Sequence, residues 1–186
     1  MPILGIVAAA GSFTKFGDFY QIATTTASGG AASTIDFNSI PQDYTHLQLR
    51  AIGRATSANL INLTMRFNGD TTNSQSAHWL TSDGATAQSS GISTTNLNIV
   101  LRVPGSGQLA NSFGVTVIDI LDYTNTNKFK TVRSMTGYDN NGSGEVYFGS
   151  SNWRSTSAIT SIRFTDQGGG NIAQHSSFAL YGIRAS

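Results

Sequence analysis

Apolar side chains recur at every second position in short runs along this chain, and the runs are separated by glycine, asparagine and serine. In THLQLRAIG (45–53), Leu47, Leu49 and Ala51 point one way while His46, Gln48 and Arg50 point the other. In INLTMRF (61–67), Ile61, Leu63, Met65 and Phe67 oppose Asn62, Thr64 and Arg66. A period of two predicts strands with one dry and one wet face. FGVTVIDILDY (113–123) is apolar on both faces, with β-branched Val115, Val117, Ile118 and Ile120, which predicts a central strand covered on both sides. The same reading places strands near 18–26, 32–38, 45–53, 60–68, 91–103, 113–122, 129–137, 144–149, 158–165 and 175–183. Asn68-Gly69, Asn141-Gly142 and the triple glycine 168–170 supply positive φ for tight connections. Pro2, Pro41 and Pro104 fall at the terminus or between strands. No segment carries a sustained 3.6-residue apolar period. The pattern predicts an all-β fold, an antiparallel β-sandwich of jelly-roll type, with an extended N-terminal arm.

The 186 residues suit one domain with a short arm, so residues 1–16 are expected as an apolar N-terminal arm and residues 17–186 as a single β-sandwich domain. MPILGIVAAAGSF has the apolar core of a secretory signal, but no Lys or Arg precedes that core and the first basic residue is Lys15. Ile3, Leu4, Ile6 and Val7 would each gain roughly 1.5–3 kcal/mol on burial, so a partner chain or the domain itself is expected to cover them. Charged residues make up 11% of the chain and the net charge is +1, which encodes no broad basic face for phosphates and argues against a nucleic-acid partner. No apolar run approaches the roughly 20 residues that span a bilayer as a helix, so no membrane span is expected. The absence of cysteine excludes a disulfide scaffold and thiolate metal sites.

Catalytic patterns are sparse, and the chain is read as a non-enzyme without a cofactor. Glycosidase chemistry commonly places two carboxylates about one bond, whereas Glu145 is the only glutamate, and Asp119 and Asp122, three residues apart, leave opposite faces of one strand. The G-x-S-x-G elbow of many serine hydrolases is absent. His46, His78 and His175 stand alone, as surface or satisfied polar histidines do, and no two fall at ligand spacing. GSGQLA (105–110) matches a dinucleotide fingerprint but is followed by a strand, not a helix, and reads as a loop. In YDNNGSGEVYF (138–148), Asp139, Asn141 and Ser143 have the spacing of the first half of a calcium loop. Position twelve of such a loop would be Ser150 rather than a bidentate glutamate, and the flanks look like strands, so a hairpin turn with an Asx contact is expected, a weak surface calcium being the remaining metal reading. Trp79, Trp153, Tyr123 and Tyr138 lie beside polar, turn-like segments, where an exposed ring can stack on a pyranose. At least two of these four rings are expected in the core, and Trp79 and Trp153 are the candidates for exposure. Arg66 and Arg154 could add planar donors.

Several segments in order carry a family resemblance: ILGIVA near the start, IDFNSIPQDYTHLQLR (35–50), RFNGD (66–70), VIDILDYTNTNKFKTVRS (117–134), GYDNNGSGE (137–145), the W-x-S-T-x-A-I-T-S-I segment (153–162) and SFALYGI (177–183). Collinear from about residue 3 to 183, they resemble small virion proteins of tailed bacteriophages, of the tail-fibre and tail-tip type. The resemblance implies a β-sandwich virion component, assembled in the host cytoplasm, that self-associates, with a trimer as the expected form. It also implies an N-terminal arm available to attach the chain to other virion proteins. The leading expectation is a tail fibre or fibre-tip module that contacts the host surface without catalysis, through Trp79, Trp153, Tyr138 and Arg154, with host surface polysaccharide as the candidate ligand. A capsid decoration (cement) protein gripping the capsid by its arm is the alternative, and a polysaccharide depolymerase is disfavoured because paired acids are missing.

Overall fold

In the computed structural model, residues 19–95 and 98–184 are described. The expected arm, with Ile3, Leu4, Ile6 and Val7, lies outside them. The described chain is built of strands alone: β1 (Phe19–Thr26), β2 (Thr34–Phe37), β3 (His46–Gly53), β4 (Ile61–Phe67), β5 (Gln75–Ser82), β6 (Ala87–Thr95), β7 (Asn98–Val103), β8 (Gly114–Ile120), β9 (Lys130–Asp139), β10 (Gly144–Trp153), β11 (Ile162–Asp166) and β12 (Ser177–Ile183). They form an eight-stranded sheet in the order β1-β12-β3-β8-β9-β10-β5-β6 and a four-stranded sheet in the order β2-β11-β4-β7, paired antiparallel throughout. The two sheets pack face to face, the β-sandwich that the alternation predicts.

The alternating strands supply the core. Leu47 and Leu49 of β3 and Ile118 and Ile120 of β8 face Leu63, Met65 and Phe67 of β4 and Phe164 of β11, all without solvent exposure. Between the layers the rings of Phe164 and Phe178 meet at 5.2 Å, tilted by 42°. Each such side chain gains roughly 1.5–3 kcal/mol on burial, which ties the register of every strand to its apolar face. Asn68 (φ 51°) and Gly69 (φ 67°) form a tight turn in which Asp70 N donates to Phe67 O at 2.9 Å.

Three expectations are corrected. β8 is central in its sheet, yet only one of its faces is covered: Val115 is 55% exposed, and Val117 is half-buried on the same outer face. No strand is expected over β5, and the single strand expected near 91–103 is instead β6, which starts at Ala87 in the eight-stranded sheet, and β7 in the other sheet. QSAHWLTS and AQSSGISTT hold few apolar residues, and Gln75, polar but fully buried, occupies an inward position that propensity assigns to an apolar side chain. β11 begins at Ile162 rather than near 158, because the Asn68 side chain holds the preceding backbone. Its amide donates to Ala158 O at 2.8 Å and its oxygen accepts from Thr160 N and Ser161 N at 2.8 and 3.1 Å.

Candidate interaction surface

The residues singled out for ligand contact separate once the strands are placed. Trp153, expected to be exposed, is 2% exposed. β10 extends four residues past the expected end at 149, so alternation puts Trp153 on the inward face with Tyr147 and Ser151 instead of in a turn. Its ring packs against Phe67 with centroids 5.4 Å apart, and Nε1 donates to Asp70 Oδ2 at 2.7 Å. Tyr123 is also fully buried, its hydroxyl donating to Pro41 O, so two of the four rings are core. Trp79 is half-buried on the inward side of β5, stacked on Tyr147 at 6.4 Å and 26°. Tyr138 is half-buried and cross-strand from Glu145, and burial pushes its hydroxyl pKa up.

The arginines expected to offer planar donors are engaged or crowded. Arg154 donates to Asn73 O at 2.7 Å and Ser93 O at 3.1 Å, fastening the chain after β10 to the segments around β5 and β6. Arg66 is half-buried opposite Arg163, whose Nε donates to Asp36 Oδ1 at 2.6 Å. Asp119 and Asp122 both have basic partners: Arg133 lies 2.7 Å from Asp119, and Lys128 and the His46 imidazole flank Asp122. His46 Nδ1 accepts from Asp122 N at 2.9 Å, a satisfied polar histidine.

Asp139, Asn141 and Ser143 are brought together by the β9–β10 hairpin. Asn141 (φ 58°) and Gly142 (φ 97°) occupy its two central positions, and Asn140 N donates to Ser143 O at 2.6 Å. Asp139 Oδ1 accepts from Asn141 N at 2.7 Å, the Asx contact expected of a turn. Asn140 ties the turn to the 105–110 loop, its Oδ1 accepting from Leu109 N at 2.5 Å and its Nδ2 donating to Gln108 Oε1 at 2.7 Å. Among the described residues no three His, Cys, Asp or Glu side chains form a group able to hold a metal ion.

Two buried polar features were not foreseen. Lys130, the first residue of β9, is fully buried, with Nζ donating to the carbonyls of Asn125, Lys128 and Thr156, and burial pushes its pKa down. Its carbonyl cage knits together two connections, the role of a structural plug. Near the opposite end of β9, Arg102 Nη1 of β7 lies 2.6 Å from Glu145 Oε1. Burial raises the Glu145 carboxyl pKa, with Arg102 opposing, and burial pushes the neighbouring Tyr147 hydroxyl up to about 12.

The surface that stands out is the outer face of the eight-stranded sheet. Ile52 of β3, Val115 of β8 and Val146 of β10 lie in one cross-strand row with Gly137 of β9 between the last two. Val117, Met135, Phe148 and Leu80 form the next row across β8, β9, β10 and β5. Of these, Ile52, Leu80, Val115, Met135, Val146 and Phe148 are between 46% and 59% exposed. A contiguous apolar stripe across five strands is unusual for a surface left in water and makes this face the candidate contact surface. A third row is polar: Gln48 donates to Asp119 at 2.9 Å, and Asp119 pairs with Arg133. The signal was present in the sequence, since FGVTVIDILDY is apolar on both faces; what it encodes is a second apolar face that the single chain leaves open. No family model, curated protein or solved structure matches this chain.

Proposed function

We propose that this chain is a non-catalytic structural protein of a tailed-bacteriophage virion, in a tail fibre or fibre tip. The observation that carries the structural reading is the outer face of the eight-stranded sheet, where apolar side chains about half exposed sit on a sandwich with few charges to desolvate. The collinear resemblance over residues 3–183 supplies the virion context. Host contact falls to Tyr138 and Trp79, the two of the four candidate rings that are partly exposed, and no longer to Trp153 or Arg154.

Capsid decoration is the second reading. It is favoured by the contrast between contact candidates that are largely tucked in and a broad apolar face that is open. Immunogold labelling of intact particles with antibody to this chain tests both. Label on fibres or the tail tip supports the first reading, label over the head supports decoration, and unlabelled particles together with absence of the chain from purified virions overturn the virion assignment. In the fibre case, purified protein is expected to bind host cells, and a folded Tyr138→Ala, Trp79→Ala double variant is expected to lose that binding; retained binding removes those rings from the contact.

A further inference from the structure

β9 presents Arg133, Met135, Gly137 and Asp139 in succession on the outer face, each on the exposed side of the strand. Met135 protrudes at 59% exposure and the Arg133 side chain is 64% exposed. Gly137, paired with Val115 on one side and Val146 on the other, leaves a notch between them. A Cβ built on Gly137 would meet nothing nearer than Glu145 O at 3.9 Å, so the notch is open space rather than a close approach of the chain itself. Around it lies a shallow depression of about 560 Å³ whose walls include Ile52, Val115, Met135 and Val146. A knob and a notch two residues apart on one strand, flanked two residues further out by a cation and an anion, form a self-complementary pattern.

We propose that this face packs against the same face of a second copy, about a twofold axis that lies between the two apposed copies and crosses over β9 at Thr136. Such an axis sets positions equidistant from 136 opposite one another, so that Met135 of each copy enters the Gly137 notch of the other and Arg133 of each faces Asp139 of the other. Every contact is made twice. Val115 then lies over Val117 and Val146 over Phe148 of the second copy, which covers the stripe by sheet-on-sheet packing like that of the sandwich itself. Arg133 already pairs with Asp119 in its own chain, so pairing places its guanidinium between two carboxylates, and the same register sets Arg50, the β3 residue of the Val117 row, over Ile52 of the second copy. The five strands from β3 to β5, roughly 4.8 Å apart, and the seven residues 133–139 give a footprint of roughly 24 by 24 Å, a projected area of roughly 550–600 Å². Corrugation brings the accessible area near the roughly 800 Å² per partner of a stable interface. The pairing follows from the face itself and does not depend on the virion reading.

Sedimentation velocity on the full chain at micromolar concentrations tests it. The expected mass is twice the 19.6 kDa of one chain. Gly137→Leu, for which the chain itself has room, is expected to keep the melting transition of the monomeric fold and to weaken pairing roughly tenfold or more. Arg133→Asp alone sets carboxylate against carboxylate in both cross-copy pairs, and Asp139→Arg alone sets guanidinium against guanidinium, so each variant is expected to remain largely monomeric. Mixed, the two are expected to form a one-to-one heterodimer, because the carboxylate introduced at position 133 of one variant then faces the guanidinium introduced at position 139 of the other, while the native Asp139 of the first faces the native Arg133 of the second, so both cross-copy pairs are again of opposite charge. A single-chain mass, a threefold mass, association untouched by Gly137→Leu, or a mixture no more associated than its components would each overturn the proposal.

Discussion

Trp153 and Asp70 are the pair in which a residue chosen for recognition proves to hold the fold. The carboxylate of Asp70 accepts from Thr72 N at 2.8 Å, from the hydroxyls of Thr72 and Ser74 at 2.6 Å each, and from Trp153 Nε1 at 2.7 Å. Burial pushes its pKa up, but the hydrogen bonds from Ser74, Thr72 and Trp153 outweigh that and hold it well below its ordinary value of 3.8. A carboxyl depressed in the folded state contributes stability that is fully present above its unfolded pKa and is lost as pH falls through the folded value. The melting temperature is therefore expected to decline as pH drops below about 4, and the decline is expected to be shallower in Asp70→Asn, measured by thermal melts across that range. Trp153→Phe keeps most of the packing on Phe67 and removes the indole donor. It is expected to destabilise by about 1.5 kcal/mol, the low end for a hydrogen bond to a charged group because Asp70 is half-exposed, as read from urea unfolding at pH 7.

At the scale of elements, strands with strict alternation were legible and polar ones were not. β3 and β4 show Leu47, Leu49, Ile61, Leu63, Met65 and Phe67 on one face, and each is buried. β5 and β6 carry almost no periodic apolar signal because they extend a sheet whose inner face is there filled partly by Gln75 and a half-buried Trp79, so tertiary pairing rather than local pattern makes them strands. The end of β10 was hidden for a related reason: SSNW looks like a turn by composition, yet its backbone pairs with β5 and β9 through Trp153. The β9–β10 connection was legible because Asn-Gly has a backbone reason to be there. Gly142 sits at φ 97°, where an L side chain is strained whatever the space, and nothing lies within 4 Å of a Cβ built there. Gly142→Ala is expected to cost about 1 kcal/mol through conformation alone, while Asn141→Gly, at φ 58°, is expected to be nearly neutral, both by chemical denaturation.

For the whole molecule, the consequential mismatch is between one chain's core and its apolar surface. The sandwich buries the inner faces of both sheets, but FGVTVIDILDY encodes two apolar faces and one chain covers only one of them. Single-chain reasoning expects a second layer over Val115 and Val117; in the twofold arrangement that layer is another copy of the same sheet. Any association that occurs only between folded chains stabilises them by mass action, and the gain grows with protein concentration. The melting temperature of the native chain is accordingly expected to rise by several degrees over a hundredfold increase in concentration, about 2.7 kcal/mol being the free energy of a hundredfold excess over the dissociation constant. In Gly137→Leu the same series is expected to stay flat over the range in which that variant is monomeric. Differential scanning calorimetry reads both. A native transition independent of concentration would mean that Ile52, Val115, Met135, Val146 and Phe148 remain in water, and the open face would then be left for a different protein to cover.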